Sequence, residues 1–285
     1  MDARSWLGLA ATHNPHRWVL PVTEGLSTHG GFLFGGCGLG AAIEALEATT
    51  GRPVVWATAQ YLSYALVDSM LDIDVTVAVA GHQITQARAV AHVADREIFT
   101  VNAALGTRPY AGEGQWEAMP AVAPPEDLPR RQHPFGDEGQ TIISRLDQRL
   151  AKGRPWDDLE GNPGDGTAAL WIRLPDLLDM SASALAILGD YVPFGIGQAL
   201  GKLGGGNSLD NTLRVAEVVP TDWVLVDVRV HAIRNGFGHG LVHLWASDGT
   251  LLATASQSTI VRHWKEERMA VVRQARAAGE SGSGP

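Results

Sequence analysis

An acidic side chain, a hydroxyl and an amide offer the clearest chemistry in this chain. Asp190 stands between two apolar runs, residues 182–188 before it and 192–200 after it. A carboxylate placed there loses water, so its charge must be paired, hydrogen-bonded or used. Two later segments, residues 204–214 and 250–262, carry uncharged polar groups able to serve it, Ser208 and Gln257. The carboxylate could hold and deprotonate a water molecule, and the other two could fix that water in place. Read together, the three make one hydrolytic site. Each also has an ordinary alternative. Aspartate after glycine commonly caps a helix, serine often opens a strand, and a strand glutamine usually faces solvent. A role for Asp190 as both cap and base stays open.

Other candidates are weaker. Gly36-Cys-Gly38-Leu-Gly-Ala41 imitates a dinucleotide fingerprint, but the strand that follows, residues 54–63, ends without the ribose-binding acid. These glycines are expected to allow close helix-to-sheet packing. His29 precedes Gly30-Gly31 in a turn. His239 and His243 would lie about 13 Å apart on one strand face, too far to share a metal. Cys37 reads as a packed small residue. Arg214, Arg234 and Lys202 could meet phosphates, with solvated surface as the alternative for each. No metal or cofactor is implied.

Composition narrows the field. With 285 residues, 45% hydrophobic and 19% charged, the chain can bury a sizeable core. A formal net charge of −9 argues against a nucleic-acid surface, which needs a basic stripe. The single cysteine excludes an internal disulfide and fits a reducing cytoplasm. Residues 1–20 lack a continuous apolar run, so no signal peptide is expected, and no uncharged apolar stretch is long enough to span a bilayer.

The elements that must position the trio follow from pattern. Residues 17–22 and 31–34 read as short strands around a turn at Thr28-His29-Gly30-Gly31. Residues 35–46 read as a glycine-opened helix stopped by Gly51. Residues 54–66, 71–80, 83–94 and 98–106 read as strands; in the second, Leu71, Ile73 and Val75 alternate with Asp72 and Asp74. Proline-rich residues 107–138 read as a surface linker. Residues 139–150 read as a strand or short helix, 153–166 as a loop, 168–174 as a strand, and 177–200 as a second apolar helix region interrupted near Pro193. Strands are expected at 207–219, 223–233, 238–246 and 250–261, a surface helix at 263–278 and a loose end after it.

The second half repeats the order of the first. Asp74 falls on Asp227 and the turn residue Asp95 on Asp248, the same shift of 153 residues. Two copies of one fold would explain this. By the same shift Asp190, Ser208 and Gln257 fall on Cys37, Val55 and Ala104, so the polar set exists once per chain. Each copy would wrap an antiparallel sheet round a helix, and the two sheets would meet edge to edge.

The motifs Phe34-Gly-Gly-Cys-Gly-Leu-Gly-Ala-Ala42, Ile98-Phe-Thr-Val101, Gly189-Asp190, Ser208-Leu-Asp-Asn-Thr212 and Asp248-Gly-Thr-Leu-Leu-Ala-Thr-Ala-Ser-Gln-Ser258 resemble, in order and spacing, the double-hotdog acyl-CoA thioesterases of the thioesterase II type. The resemblance covers most of residues 17–263. It implies an α+β double hotdog: an N-terminal hotdog at 1–108, a linker at 109–138, a C-terminal hotdog carrying the site at 139–263, and a tail at 264–285. It also implies hydrolysis of acyl-CoA, with the family's catalytic roles falling on Asp190, Ser208 and Gln257, and a homodimer or higher homo-oligomer in the cytoplasm, acting in lipid metabolism. The chain departs from the family in Thr58-Ala-Gln-Tyr-Leu-Ser63, which lacks a histidine, and in Asp210-Asn211, where the family has Asp-His. Two alternatives stand beside this reading: a hydratase or dehydratase acting on acyl thioesters, and a catalytically silent protein that binds an acyl ligand or serves in an assembly.

Overall fold

The first half opens with a short helix, α1 (Ala3–Leu7), and two strands, β1 (Ala10–Ala11) and β2 (Arg17–Pro21). These observations come from a computed structural model that describes residues 1–132, 140–176 and 179–263. A long helix, α2 (Gly35–Thr50), comes next and ends on Gly51 in the left-handed conformation at φ 66°, as its sequence predicts. Four strands follow: β3 (Val54–Tyr61), β4 (Met70–Ala80), β5 (Ile84–Val93) and β6 (Arg96–Gly106). Alternation decides how β4 sits. Leu71, Ile73 and Val75 are buried, while Asp74 on the opposite face pairs with Arg17 at 2.6 Å.

The second half begins with a one-turn helix, α3 (Ile142–Arg145), strand β7 (Asp147–Lys152), another one-turn helix, α4 (Trp156–Leu159), and strand β8 (Thr167–Arg173). Two helices, α5 (Ala182–Gly189) and α6 (Val192–Leu200), precede strands β9 (Gly204–Ser208), β10 (Asp210–Val215), β11 (Val224–Arg234), β12 (Phe237–Ala246) and β13 (Leu251–His263).

The strands form one large antiparallel sheet in the order β1-β2-β4-β5-β6-β3-β10-β13-β12-β11-β8-β7, with β9 paired to β13. The halves meet where β3 pairs with β10, Thr58 opposite Thr212. The irregularities of the sheet recur. A register shift between Val77 and Val79 in β4 has its counterpart between Val230 and Ala232 in β11. Another between Ala91 and His92 in β5 has its counterpart between Leu244 and Trp245 in β12. Both follow the shift of 153 residues seen in the sequence.

Helix α2 is buried nearly all round because it lies between the sheet and α5. Its glycines set that distance. A Cβ on Gly36 would lie 2.9 Å from the backbone of Ala186 and Ile187, and one on Gly40 2.9 Å from Ser183 Oγ. Gly38 faces the sheet, where Phe99 would be 2.9 Å away, and Gly35 at the helix start meets the Tyr61 ring of β3. The expected helix-to-sheet contact is therefore mainly a helix-to-helix contact.

Other differences are local. Residues 31–34 make only isolated bridges, Ser27 to Leu33 and Phe32 to Leu66, because Gly31 at φ 73° and the start of α2 leave no room for a strand. Residues 139–150, where described, supply both a short helix and a strand, and the 153–166 loop contains α4. The 177–200 helix region breaks at Asp190-Tyr191, with Pro193 in the first turn of α6, where a missing N–H costs nothing. Residues 177–178, the expected surface helix after His263 and the tail 264–285 lie outside the described residues. The segment 107–132 is mostly exposed, yet Met119, Val122 and Leu128 cover Trp171, Trp223 and Trp245 on the outer face of the second half. The Trp171 indole N–H donates to Ala123 O at 2.9 Å. Among the described residues no helix is long and apolar enough to cross a membrane.

Candidate active site

Asp190 is placed by the end of α5. Gly189 presses against β13 so closely that a Cβ there would lie 2.9 Å from the Ala255 side chain. Two residues further along the same strand face is Gln257, because side chains repeat every second residue. That face, Ala253, Ala255, Gln257 and Thr259, points inward and is buried. Ser208 ends β9 opposite Thr259. The expected single strand 207–219 is broken just after it: Ser208 opposes Thr259 and Thr212 opposes Ser256, so β9–β10 carries one extra residue at Leu209. Such bulges re-aim side chains beside active sites.

The three side chains meet. Gln257 Nε2 donates to Asp190 Oδ1 and, at 2.9 Å, to Ser208 Oγ. Ser208 Oγ donates to Asp190 Oδ1 at 3.4 Å. Gln257 Oε1 accepts the Val192 backbone N–H at 3.0 Å, which settles the amide's orientation, since that partner can only donate. The first half contributes as well. The Gly36 N–H in the first turn of α2 donates to Asp190 Oδ2 at 2.7 Å. The starts of α2 and α6 therefore converge on the trio, and both present the positive ends of their dipoles.

Two effects compete at the carboxylate. Burial raises the Asp190 carboxyl above its ordinary value, and the donors from Gln257, Gly36 and Ser208 pull it back; burial prevails. Space is tight on one side. A Cβ on Gly35 would lie 2.8 Å from Asp190 Oδ2 and 3.0 Å from the Tyr61 ring. Tyr61 donates its hydroxyl to Gly35 O at 2.8 Å.

Asp190 and Ser208 open onto a cavity of about 820 Å³. Its walls include Phe32, Phe34, Phe99, Ile143 and Phe194, and both halves of the chain contribute. Of the cations suggested for phosphates, Lys202 lines this cavity and Arg214 and Arg234 do not. His29 is also on its wall. Cys37 is fully buried, and burial pushes its thiol far up, away from nucleophilic use. The sequence reading overlooked the Gly36 amide as a partner of Asp190, together with Tyr61 and Arg131. For Gly36 a signal existed, since its helix opens without a capping side chain at Phe34.

A sequence model described as the acyl-CoA thioesterase C-terminal domain matches residues 125–261. Among solved structures, a candidate thioesterase from Novosphingobium aromaticivorans DSM 12444 is 31% identical with a TM-score of 0.79, over 88% of this chain and 97% of that one. A conserved protein of unknown function with a hot dog fold from Alicyclobacillus acidocaldarius is 18% identical with a TM-score of 0.79, over 92% and 98% of the two chains. An acyl-CoA thioesterase II from Mycobacterium marinum is 20% identical with a TM-score of 0.70, over 93% and 98%. No curated protein matches the chain in sequence. The sheet and its helices are those of the hotdog fold, and the chain belongs to the acyl-CoA thioesterase family.

Proposed function

We propose that this acyl-CoA thioesterase works by direct attack of water, organised by Asp190, Ser208 and Gln257. The observation that carries the reading is a buried carboxylate whose donors come from a serine, a glutamine and a helix start, beside an apolar cavity. A carboxylate oxygen accepts more than one hydrogen bond, so Asp190 keeps capacity for a water on the cavity side. As the water oxygen bonds to the thioester carbon, its proton passes to Asp190. The carbonyl oxygen takes up negative charge near the start of α2, where backbone N–H groups outnumber acceptors. Collapse breaks the C–S bond, and the departing coenzyme A thiolate takes the proton back. No covalent acyl-enzyme forms. Single turnover in ¹⁸O water tests this: label should enter the free acid while the protein mass stays unchanged, whereas an acylated Ser208 would overturn the mechanism.

We also infer that the chain holds two hotdog units, residues 1–108 and 139–263, joined by the segment 109–138. The recurring register shifts and the β3–β10 junction support this reading. Because Cys37, Val55 and Ala104 stand at the offset positions, one site per chain is expected. Expression of either unit alone tests the division; a unit that folds only with the other present would argue against it.

A further inference from the structure

Among the cations that line the cavity, Arg131 is the one held against aromatic rings, and the proposed mechanism gives it no task. The Arg131 guanidinium lies 4.3 Å from the centre of the Trp156 ring and 4.9 Å from that of Phe194. One of its N–H groups donates to Gln148 Oε1 at 2.8 Å, and its backbone N–H to Gln148 O at 2.7 Å. Gln148 itself is buried. Two aromatic faces and a neutral amide thus hold a group that carries five donors. Among the described residues no carboxylate pairs with it, whereas nearby Asp147 is reached by Arg149 and Arg173. Arg131 is half-buried, and that burial lowers it to about 10, so it still carries its charge at neutral pH.

A second polar group in the same place is also unspent. The Tyr191 hydroxyl is buried with no hydrogen-bond partner among the described residues. Tyr191 directly follows Asp190, its ring stands edge-on to Phe194 at 6.5 Å, and Arg131, Gln148, Trp156, Tyr191 and Phe194 all line the cavity. An arginine kept only for packing is normally neutralised when it is taken from water, and a buried hydroxyl normally finds a partner. Both anomalies disappear if a ligand brings an anionic oxygen between them.

We propose that Arg131 and Tyr191 receive a carboxylate borne by the acyl group, so that the preferred substrates are coenzyme A esters of dicarboxylic acids. This rests on the thioesterase reading. Arg131 lies against the apolar rings of Trp156 and Phe194, and Ile143 and Leu159 also line the cavity. Lys202 and Arg262, which also line the cavity, are exposed and suit the coenzyme's phosphates better.

The test compares kcat/KM for chain-matched pairs, such as adipoyl-CoA against hexanoyl-CoA and dodecanedioyl-CoA against dodecanoyl-CoA. The wild type should favour the diacid ester of at least one pair by about 10- to 100-fold, the cost of leaving one buried polar group unpaired with the wrong ligand. Arg131→Met should reverse that ratio, Arg131→Lys should restore part of it, and Tyr191→Phe should reduce it several-fold with the thermal midpoint little changed. A wild-type ratio at or below one for every pair, or a ratio untouched by Arg131→Met, overturns the proposal. So does an equal rise in KM for both members of a pair, which would mean that Arg131 holds the coenzyme. If no ester is turned over, the thioesterase reading has failed instead. Calorimetric affinities of the same pairs for Asp190→Asn then decide this proposal alone: diacid esters must bind tighter, or it is wrong.

Discussion

Asp190 Oδ2 accepts the backbone N–H of Gly36 at 2.7 Å, although 154 residues separate the two in the chain. One carboxylate thereby belongs to the polar trio of one half and also serves as the missing cap of the other half's central helix. The alternatives weighed for Asp190, cap or base, are not exclusive. The helix it caps is α2, far away in sequence, and not the α6 that follows it.

Replacing Asp190 by Asn should abolish most turnover while leaving the fold intact. Loss of a positioned base typically costs about 10²–10⁴-fold, and Asn can still accept the Gly36 N–H. Steady-state release of free thiol from acyl-CoA, with circular dichroism as the folding control, reads both. A variant retaining more than a tenth of wild-type kcat would remove Asp190 from the chemistry.

The pH dependence has a definite sign. Burial raises the Asp190 carboxyl above its ordinary value of 3.8. The unfolded chain therefore gives up this proton first, and between the ordinary and the raised value stability declines as pH rises. Above the raised value that contribution is gone. Asp190→Asn cannot ionise, so its melting temperature relative to wild type should climb through this window and then level off; melts from about pH 4 to pH 8 would show it. The acid limb of kcat/KM should lie above the usual aspartate range. A flat difference in melting temperature would contradict a raised carboxyl.

Gln257 holds two polar groups and a backbone amide at once. In Gln257→Ala the Val192 N–H loses its acceptor, at a cost of about 1–3 kcal/mol for a buried unpaired donor. Gln257→Glu keeps an acceptor for Val192 but sets a second carboxyl against Asp190. It should move the acid limb of the rate profile further up, by mutual repulsion. Matching acid limbs in wild type and Gln257→Glu would show that the two side chains do not couple.

The glycines of α2 separate packing from chemistry. Gly36→Ala and Gly40→Ala both force a methyl into α5, and overpacking of this kind costs about 1–3 kcal/mol. Both should melt earlier. Only Gly36→Ala should lose kcat beyond what its stability explains, because it displaces the amide that holds Asp190. Equal kcat in the two variants would show that this amide has no share in turnover.

Local pattern revealed a good part of this molecule. The alternation of Leu71, Ile73 and Val75 marked an inward strand face, and Gly51 marked the end of α2. Asp190, Ser208 and Gln257 were singled out by a buried charge and by resemblance, and the structure brings them together. What stayed hidden is long-range. Nothing near Gln257 in sequence says that its strand face is the inner one, because Ala253 and Ala255 are too small to declare burial. The extra residue at Leu209 leaves no mark in the sequence, since a bulge is defined against the strand opposite. Proline spacing hid the role of Met119, Val122 and Leu128, whose partners are tryptophans 43 to 126 residues further along the chain.

The hydrogen-bonded junction of β3 with β10, together with the contacts of residues 115–128 on the tryptophan face, makes the peptide link between the halves dispensable for cohesion. Exposed Tyr110 and Trp116 offer a protease easy access there. A molecule nicked at that point would still travel as one particle through a sizing column, and only a denaturing gel would reveal two fragments.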